Sequence, residues 1–497
     1  MKKQFNRKNL ILISTILLMN LMPFNVFSQT GLTLEQALTQ AQTNSPSILK
    51  TRLNLIKSQE NLNAQRAALK SNFSLSVNPI SYSQNRAYNS NTGFNTTKQL
   101  QSAGQFTISQ PVLPTDATIS LSNNFSYTNI LLNEQFPTST GIKFNNDLSL
   151  SITQPLFTYN RTKLTLKELQ FSLENAQLSY AIQLLSLENS VTQAFYTVYQ
   201  QQQSLDISKQ AYENMQKSYE ISKNKVNAGI SSQSEMFQAE LNLSTTRSDY
   251  ENKQVSFENA KDNFKDLLGM DLYSDVIVMP NISVDTTAKI DIAFAIDQGL
   301  KNRMELRQRQ ISIETAYDNL VQTKALNEFK GNLGLSFGLN GNNTTLKDIY
   351  SDPKNNENVS VSFQIPLWDW GEKKSRIKAS EASIESSKID LSVQQNDIIL
   401  GVRQSYRSLN NLQNQIGIAY QSEKNAQLTY DLNLEKYRNG DLTGMDLNQY
   451  QNQLSQNKLT YTNAIISYKL ELLTLKIQTL YDFEKKEAVI PTKTLQY

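Results

Sequence analysis

The sequence predicts an α+β membrane protein made of two copies of one unit, each a strand hairpin followed by long helices. The strands are expected to contribute to a transmembrane β-barrel and the helices to a coiled coil or helical tube. Three observations predict this. The chain repeats itself, its returning helices carry apolar residues seven apart, and its short alternating segments set an apolar face against a neutral face of small polar residues.

Composition narrows the chemistry first. The 497 residues include no histidine and no cysteine. That removes an imidazole base, a thiolate nucleophile, a disulfide and a Cys/His metal site. No P-loop, dinucleotide fingerprint or zinc signature is present. Gly334-Leu-Ser336-Phe-Gly338 matches G-x-S-x-G, but it lies in an alternating strand of a chain without the histidine a triad needs. No cofactor, metal ligand or catalytic residue is expected. Hydrophobic residues are 39% and charged residues 19%, below the roughly 45–50% and 25% of ordinary globular proteins. Asn, Gln, Ser and Thr fill the deficit, so one thick core is not expected. The formal charge of +3 is too small to argue for nucleic acid.

Residues 1–28 read as a cleaved signal peptide. Lys2, Lys3, Arg7 and Lys8 precede an apolar run from Leu10 to Met19, and Val26 and Ser28 suit the cleavage site. The run is shorter than the roughly 20 residues of a spanning helix. Removing those four cations turns +3 into −1. Gln29 follows the cut, so no lipid anchor is expected at the mature N-terminus.

The duplication carries most of the organisation. Thr33-Leu-Glu-Gln-Ala37 through Pro46 resembles Asp291-Ile-Ala-Phe-Ala295 through Met304 at an offset of 258. Ser151-Ile-Thr-Gln-Pro155-Leu-Phe157 resembles Ser362-Phe-Gln-Ile-Pro366-Leu-Trp368 at 211, and Gly229 matches Gly440 at 211 again. The first copy therefore holds 258 − 211 = 47 surplus residues before its Pro155. Within them, Phe106-Thr-Ile108-Ser-Gln-Pro111 and Thr118-Ile-Ser-Leu121 suggest an added hairpin, either in the barrel or outside it. The first unit is placed at 29–274, with strands near 73–80 and 147–154 and long helices at 156–227 and 232–268. A linker at 275–289 follows. The second unit is placed at 290–483, with strands near 333–340 and 359–365 and helices at 371–438 and 443–482. The tail is 484–497.

From Leu166 to Val198 apolar residues recur at intervals of three and four, with no Pro or Gly between Pro155 and Gly229. About 70 residues at 1.5 Å make a helix of roughly 105 Å, too long for a compact domain. In the returning helices Met236, Leu243, Tyr250, Phe257 and Phe264 sit seven apart, as do Leu447, Leu454, Tyr461, Tyr468 and Leu475. A sustained seven-residue repeat forces left-handed supercoiling.

Phe73-Ser-Leu75-Ser-Val77, Leu148-Ser-Leu150-Ser-Ile152, Leu333-Gly-Leu335-Ser-Phe337 and Val359-Ser-Val361-Ser-Phe363 alternate strictly. Their second face is small, polar and uncharged, which suits a barrel lumen with lipid on the other side. Phe157, Tyr159, Trp368 and Trp370 stand just past the strands, where an interfacial belt would lie; a core cluster is the alternative. Four strands cannot close around a lumen, so several chains must contribute. The stretches Ser81–Gly104 and Gly341–Asn358 read as exposed loops.

These residues resemble the TolC-type outer membrane efflux family over nearly all of the mature chain. The resemblance rests on Leu32-Thr-Leu-Glu-Gln-Ala-Leu38, Asn44-Ser-Pro46, Ala64-Gln-Arg-Ala-Ala-Leu69, Gln154-Pro-Leu-Phe157, Ile365-Pro-Leu-Trp-Asp-Trp-Gly371, Leu267-Leu-Gly269 and the two Gly tips. It implies a homotrimer in the outer membrane, with four strands per chain making a 12-stranded barrel continued by a periplasmic helical tunnel. It also implies passive conduction in efflux or type I secretion, fed by a periplasmic adaptor (membrane fusion) protein and an inner membrane pump of RND or ABC type. The tips Asn227-Ala228-Gly229 and Arg438-Asn439-Gly440 would contact the adaptor. The periplasmic entrance would carry Glu235 and Asp446, six residues after each Gly, with Tyr437 at a gate-tyrosine position. Where the family often has a second Asp and an Arg, this chain has Gln449 and Leu442. The plainer reading of Glu235 and Asp446 is as first-turn acids complementing a helix dipole. A structural coiled-coil surface protein or adhesin would not need membrane-type strands, and an exported polysaccharide enzyme would need a convergent carboxylate pair.

Overall fold

The computed structural model describes residues 31–282 and 290–489. The signal peptide expected at 1–28, the end of the expected linker and the last residues of the tail lie outside the described residues. In chain order the elements begin β1 (Gly31–Leu32), α1 (Leu34–Asn44), α2 (Pro46–Ala68), β2 (Asn72–Asn89), β3 (Gly93–Val112), β4 (Ala117–Asn133), β5 (Gly141–Leu156), α3 (Arg161–Asn227), α4 (Gln233–Leu268) and β6 (Ile277–Val278). The second copy continues with α5 (Ile292–Asn302), α6 (Met304–Lys324), β7 (Lys330–Asn343), β8 (Lys354–Gln364), α7 (Glu372–Asn439), α8 (Gly444–Thr479), β9 (Tyr481–Asp482) and β10 (Glu487–Ala488). The chain divides into two compact units, and α3, α7 and α8 each contribute to both.

The first unit holds residues up to 46, 187–286 and 410–470. Helix α3 is 67 residues long and α7 is 68, so each extends about 100 Å at 1.5 Å per residue. Neither contains proline, whose missing N–H and ring clash would break it. Within this unit Val191, Phe195 and Val198 of α3 are buried, and Phe195 meets Phe264 of α4 edge to face at 6.0 Å. Helix α1 begins at a capping box in which Thr33 and Gln36 bond each other's backbone N–H. Its buried Ala37 and Ala41 are the small residues of a close approach. Strand β1 pairs in parallel with β6, so the segment expected as a linker is tied to the start of the chain.

The seven-residue seams differ between the copies. In α8, Leu447, Leu454, Tyr468 and Leu475 are buried, whereas in α4 only Phe264 is. Phe237, Leu241 and Val255 stand exposed along α4.

The second unit holds the sheet together with α2, α5 and α6 and the sheet-proximal parts of the long helices. Asp291 caps α5 by accepting from the N–H of Ala293 at 2.9 Å. Ala181, Leu185, Met304 and Leu480 form one buried cluster, and Ala316, Leu320 and Ile384 another. Arg307 of α6 forks onto Glu174 of α3 at 2.6 and 3.1 Å. Those bonds raise the guanidinium pKa above its ordinary value.

The sheet departs from the expected four strands. Six strands run in the order β2-β3-β4-β5-β7-β8, every neighbouring pair antiparallel. The surplus of the first copy supplies β3 and β4 as interior strands, not an external hairpin. The strands are also longer than the alternating segments. Ser81–Gly104, expected as a loop, is strand on both sides of a turn at 90–92. In Gly341–Asn358 the strands take 341–343 and 354–358, and the connection between them includes a short 3₁₀ turn whose Ile349 is buried. The ladder is made by backbone groups and continues after the side-chain alternation has stopped. The first long helix starts at Arg161, not at 156, because Leu156 still pairs with Gly331 and Phe157 turns the chain at φ +59°. The last helix stops at Thr479, after which β9 pairs with β10.

Gly269 ends α4 in the left-handed region, at φ +66°. A Cβ there would lie 2.5 Å from the Asn44 carbonyl oxygen. Gly269→Ala is therefore expected to lose at least about 1–2 kcal/mol from the backbone conformation alone. The expected readout is a lower denaturation midpoint, with amides of 34–44 exchanging fastest relative to the parent.

Candidate functional site

The expected site residues fall into two groups, one at the helix turns of the first unit and one beside the sheet in the second.

Both helix turns are built the same way. At the end of α3, Ile230 donates to the carbonyl of Lys225 at 2.9 Å and Gly229 to that of Val226 at 3.0 Å. At the end of α7, Asp441 donates to Lys436 at 2.9 Å and Gly440 to Tyr437 at 3.2 Å. These paired bonds close each helix through a left-handed glycine, with φ +72° at Gly229 and +91° at Gly440. A Cβ at either glycine would meet no atom within 4 Å, so the requirement is conformational. Asn227, Ala228, Arg438 and Asn439 form the last residues before these turns. Arg438 donates to Glu435 one turn back at 2.7 Å.

The acids lie at the starts of the returning helices. The N–H of Glu235 donates to Ser232 Oγ at 3.3 Å, and its carboxylate accepts from Ser231 Oγ. The N–H of Asp446 donates to Thr443 Oγ1 at 3.2 Å, and that hydroxyl donates to Asp446 Oδ2 at 2.7 Å. Both carboxylates are thus engaged in first-turn hydrogen bonds, as the dipole reading expects. Both side chains are half-buried, and Gln449 is exposed.

Tyr437 is fully buried. Its hydroxyl donates to the Ser218 carbonyl at 3.2 Å, and Tyr430, Leu447 and Leu454 share its cluster. Leu442, where the family often has Arg, packs against this cluster. Lys225 donates to the Tyr437 carbonyl at 2.6 Å, with its ammonium 4.4 Å from the ring centroid. Burial, with the charge of Asp431 adding to it, pushes the neighbouring Tyr430 hydroxyl up to about 12, so that phenol stays neutral. Sequence reading missed Lys225 and Ser218. Their bonds join helices more than 200 residues apart, and nothing local marks them.

The aromatics of the second unit divide. Phe157 packs against Phe329 with the rings tilted, and Phe329 stacks on Phe363, with centroids 5.2 and 5.3 Å apart. Trp368 and Trp370 meet each other edge to face at 5.7 Å, and both are exposed. Tyr159 lines a groove with Leu113, Pro114 and Lys163. Asp369, between the tryptophans, accepts from the N–H groups of Gly371 and Lys373 at 3.0 and 3.1 Å, which lowers its carboxyl pKa below the ordinary value.

Asp116 was also missed. It sits in the β3–β4 turn at φ +62° and accepts from the backbone N–H groups of Arg161 and Thr162 at 3.3 and 3.1 Å. Asn160 donates to the Leu113 carbonyl at 2.6 Å and accepts from the N–H of Lys163 at 2.7 Å. The turn of the surplus hairpin thus holds the first amides of α3. Among the described residues no group of acids is arranged to hold a metal.

A duplicated chain of long-helix pairs, carrying an antiparallel sheet with one exposed apolar face, defines the class of outer membrane channel proteins. The sequence profile of the outer membrane efflux protein family matches residues 118–270 and 295–476, and the chain belongs to that family. It is thus an outer membrane channel of efflux systems that reaches into the periplasm. Outer membrane protein TolC of Escherichia coli (strain K12) is 21% identical over 376 residues, covering 74% of each chain. Among solved structures, the Campylobacter jejuni CmeC outer membrane channel superposes with a TM-score of 0.68 at 14% identity, over 93% of this chain and 88% of that one. The outer membrane protein VceC of Vibrio cholerae gives 0.65 at 14% identity, over 90% of this chain and 95% of that one. These likenesses establish the fold.

Two outcomes follow from this geometry. Tyr437→Phe should lose about 0.5–1.5 kcal/mol, the net worth of one hydrogen bond, with faster amide exchange confined to residues near 218–225 and 434–441. The depressed Asp369 pKa contributes stability that is present above the unfolded carboxylate value of about 3.9 and lost as pH falls through the folded value. Amides of Gly371 and Lys373 should therefore lose protection on acidification below about pH 4, and Asp369→Asn should remove that dependence.

Proposed function

We propose that three copies of this chain form a duct through the outer membrane that passively conducts cargo delivered by an inner membrane pump and a periplasmic adaptor. The observation that carries the reading is the two-faced sheet. On one face, directly paired residues form the row Asn72, Ser109, Ser120, Ser151, Ser336 and Asn358. On the other, Phe73, Ile108, Leu121, Leu150 and Phe337 form the adjacent row, largely open to the surroundings, which meets Glu357 on β8, while Val359, Val361 and Phe363 carry the apolar face along the rest of that strand. An apolar surface this continuous requires a nonaqueous neighbour, and the neutral small face suits a water-filled lumen.

The height of the apolar face fits a bilayer. Phe125, Tyr127 and Phe144 cluster towards one end of the sheet, and Phe157, Phe329 and Phe363 cluster at the other. Phe144 and Leu156 are 12 residues apart on β5, or about 40 Å of strand, which a tilt near 40° reduces to about 30 Å. Phe157 and Tyr159 with Trp368 and Trp370 would then anchor the periplasmic interface.

The incompletely buried seam of α4 supports contact with further copies. The turns Asn227–Ser231 and Arg438–Leu442 are the proposed adaptor contacts, with Glu235 and Asp446 from three copies placing six carboxylates near the entrance. Such a ring raises the local cation concentration.

The membrane fraction of expressing cells should contain a species that runs as a trimer on an unboiled gel, and a soluble periplasmic monomer would end the duct reading. In planar bilayers, the double substitution Glu235→Gln and Asp446→Asn should reduce cation selectivity. Unchanged selectivity would leave both acids as helix caps only.

A further inference from the structure

We propose that each copy contributes six strands to the barrel, so that β8 of one copy pairs with β2 of the next and the ring closes with 18 strands. This rests on the three-copy ring proposed above. It replaces the four strands per copy that the family resemblance implied.

Among the described residues the sheet has two free edges. β2 is 18 residues long and β8 is 11, and each has a partner on one side only. Within hydrocarbon every backbone N–H and C=O must be paired, so the edges must be closed by another chain. A second copy fits them. All neighbours in the sheet are antiparallel and the strand count is even, so β8 runs opposite to β2. Head-to-tail copies therefore continue the antiparallel order without interruption.

The two edges also share a residue pattern. β2 reads Phe73-Ser74-Leu75-Ser76-Val77-Asn78, and β8 read backwards from Phe363 gives Phe-Ser-Val-Ser-Val-Asn. Pairing Phe73 with Phe363 of the next copy places Ser on Ser, Asn on Asn and apolar on apolar throughout. The lumen row and the lipid row then continue across the joint without a break.

Barrel geometry gives an independent check on that register. Stepping directly across the ladder from Phe73 leads to Ile108, Leu121, Leu150, Phe337 and Glu357. Phe363 lies six residues beyond Glu357 on β8, so each copy adds six residues of stagger across six strands. With a rise near 3.3 Å and a strand spacing near 4.8 Å, one residue per strand gives a tilt of about 35°, within the range of closed barrels. At that tilt 18 strands make a backbone cylinder about 34 Å across, against about 23 Å for 12.

The surplus hairpin is integral to this wall. β3 and β4 are paired on both sides, and their connecting turn is bonded to the start of α3 through Asp116 and Asn160.

The cysteine-free chain permits a direct test in native outer membranes. In the pair S76C+S360C the two positions lie on opposite edges of one sheet and meet only across the joint. Oxidation should shift the boiled band from monomer to covalent trimer, reversed by a thiol reductant. In S122C+S360C, β4 would meet β8 only if β2 and β3 lay outside a 12-stranded barrel, and no shift is expected. A trimer on unboiled gels that links through S122C+S360C, or through neither pair, would overturn the proposal while leaving the three-copy ring intact. The absence of any trimer would instead remove the ring itself.

Discussion

Backbone pairing in a medium without water is the constraint on which the sheet depends. A side chain at a lipid-facing position can be exchanged for another apolar one, but an unpaired N–H or C=O has no such remedy. This explains why the extra residues of the first copy arrive as two strands. A single added strand would reverse the direction of every strand after it and leave β8 parallel to the edge it has to meet. Two added strands preserve the order. The turn that joins them cannot hang free either, and Asp116 and Asn160 use it to satisfy the first amides of α3. The insertion thereby supplies both wall and helix cap.

The helix turns follow a different logic. Their local chemistry is duplicated almost atom for atom, from the left-handed glycine to the hydroxyl and acid that open the next helix. Their packing is not duplicated. Tyr437 is buried against the partner turn and held by Lys225 and Ser218, while Val226 stands at the matching position of the first copy. Repeated backbone chemistry makes two helix hairpins. The unequal side chains then decide which one inserts a ring and which one supplies the cation beneath it.

What was legible in the sequence tracks what is local. The long helices could be read from their three-and-four spacing, and the turns from glycine, because both depend on neighbours along the chain. Strand identity was also legible wherever one face was apolar, as in Leu148–Ile152. Strand extent was not. Residues 81–104 carry polar side chains on both faces and look like loop, yet 81–89 pair with the first part of β3 and that part of β3 pairs in turn with β4, since the ladder needs only backbone partners. Asp116 was invisible for a related reason. Its partners lie 45 residues away, and no composition or period points to them. The acids at 235 and 446 could be picked out by their spacing from the two glycines, but their hydrogen bonds to Ser231, Ser232 and Thr443, which tie them to their helix starts, could not.

Strand number and stagger act together on a barrel. Tilt depends on the stagger per strand, while diameter depends on the number of strands. Adding two strands without adding stagger would reduce the tilt of the strands from the barrel axis. With one residue of stagger for each strand, the wall widens while the tilt holds. The lumen row of serines and asparagines then lines a broader opening without large side chains to fill it. The low apolar fraction of the chain belongs to the same design, because a hollow wall is wet on a surface that a solid core would bury.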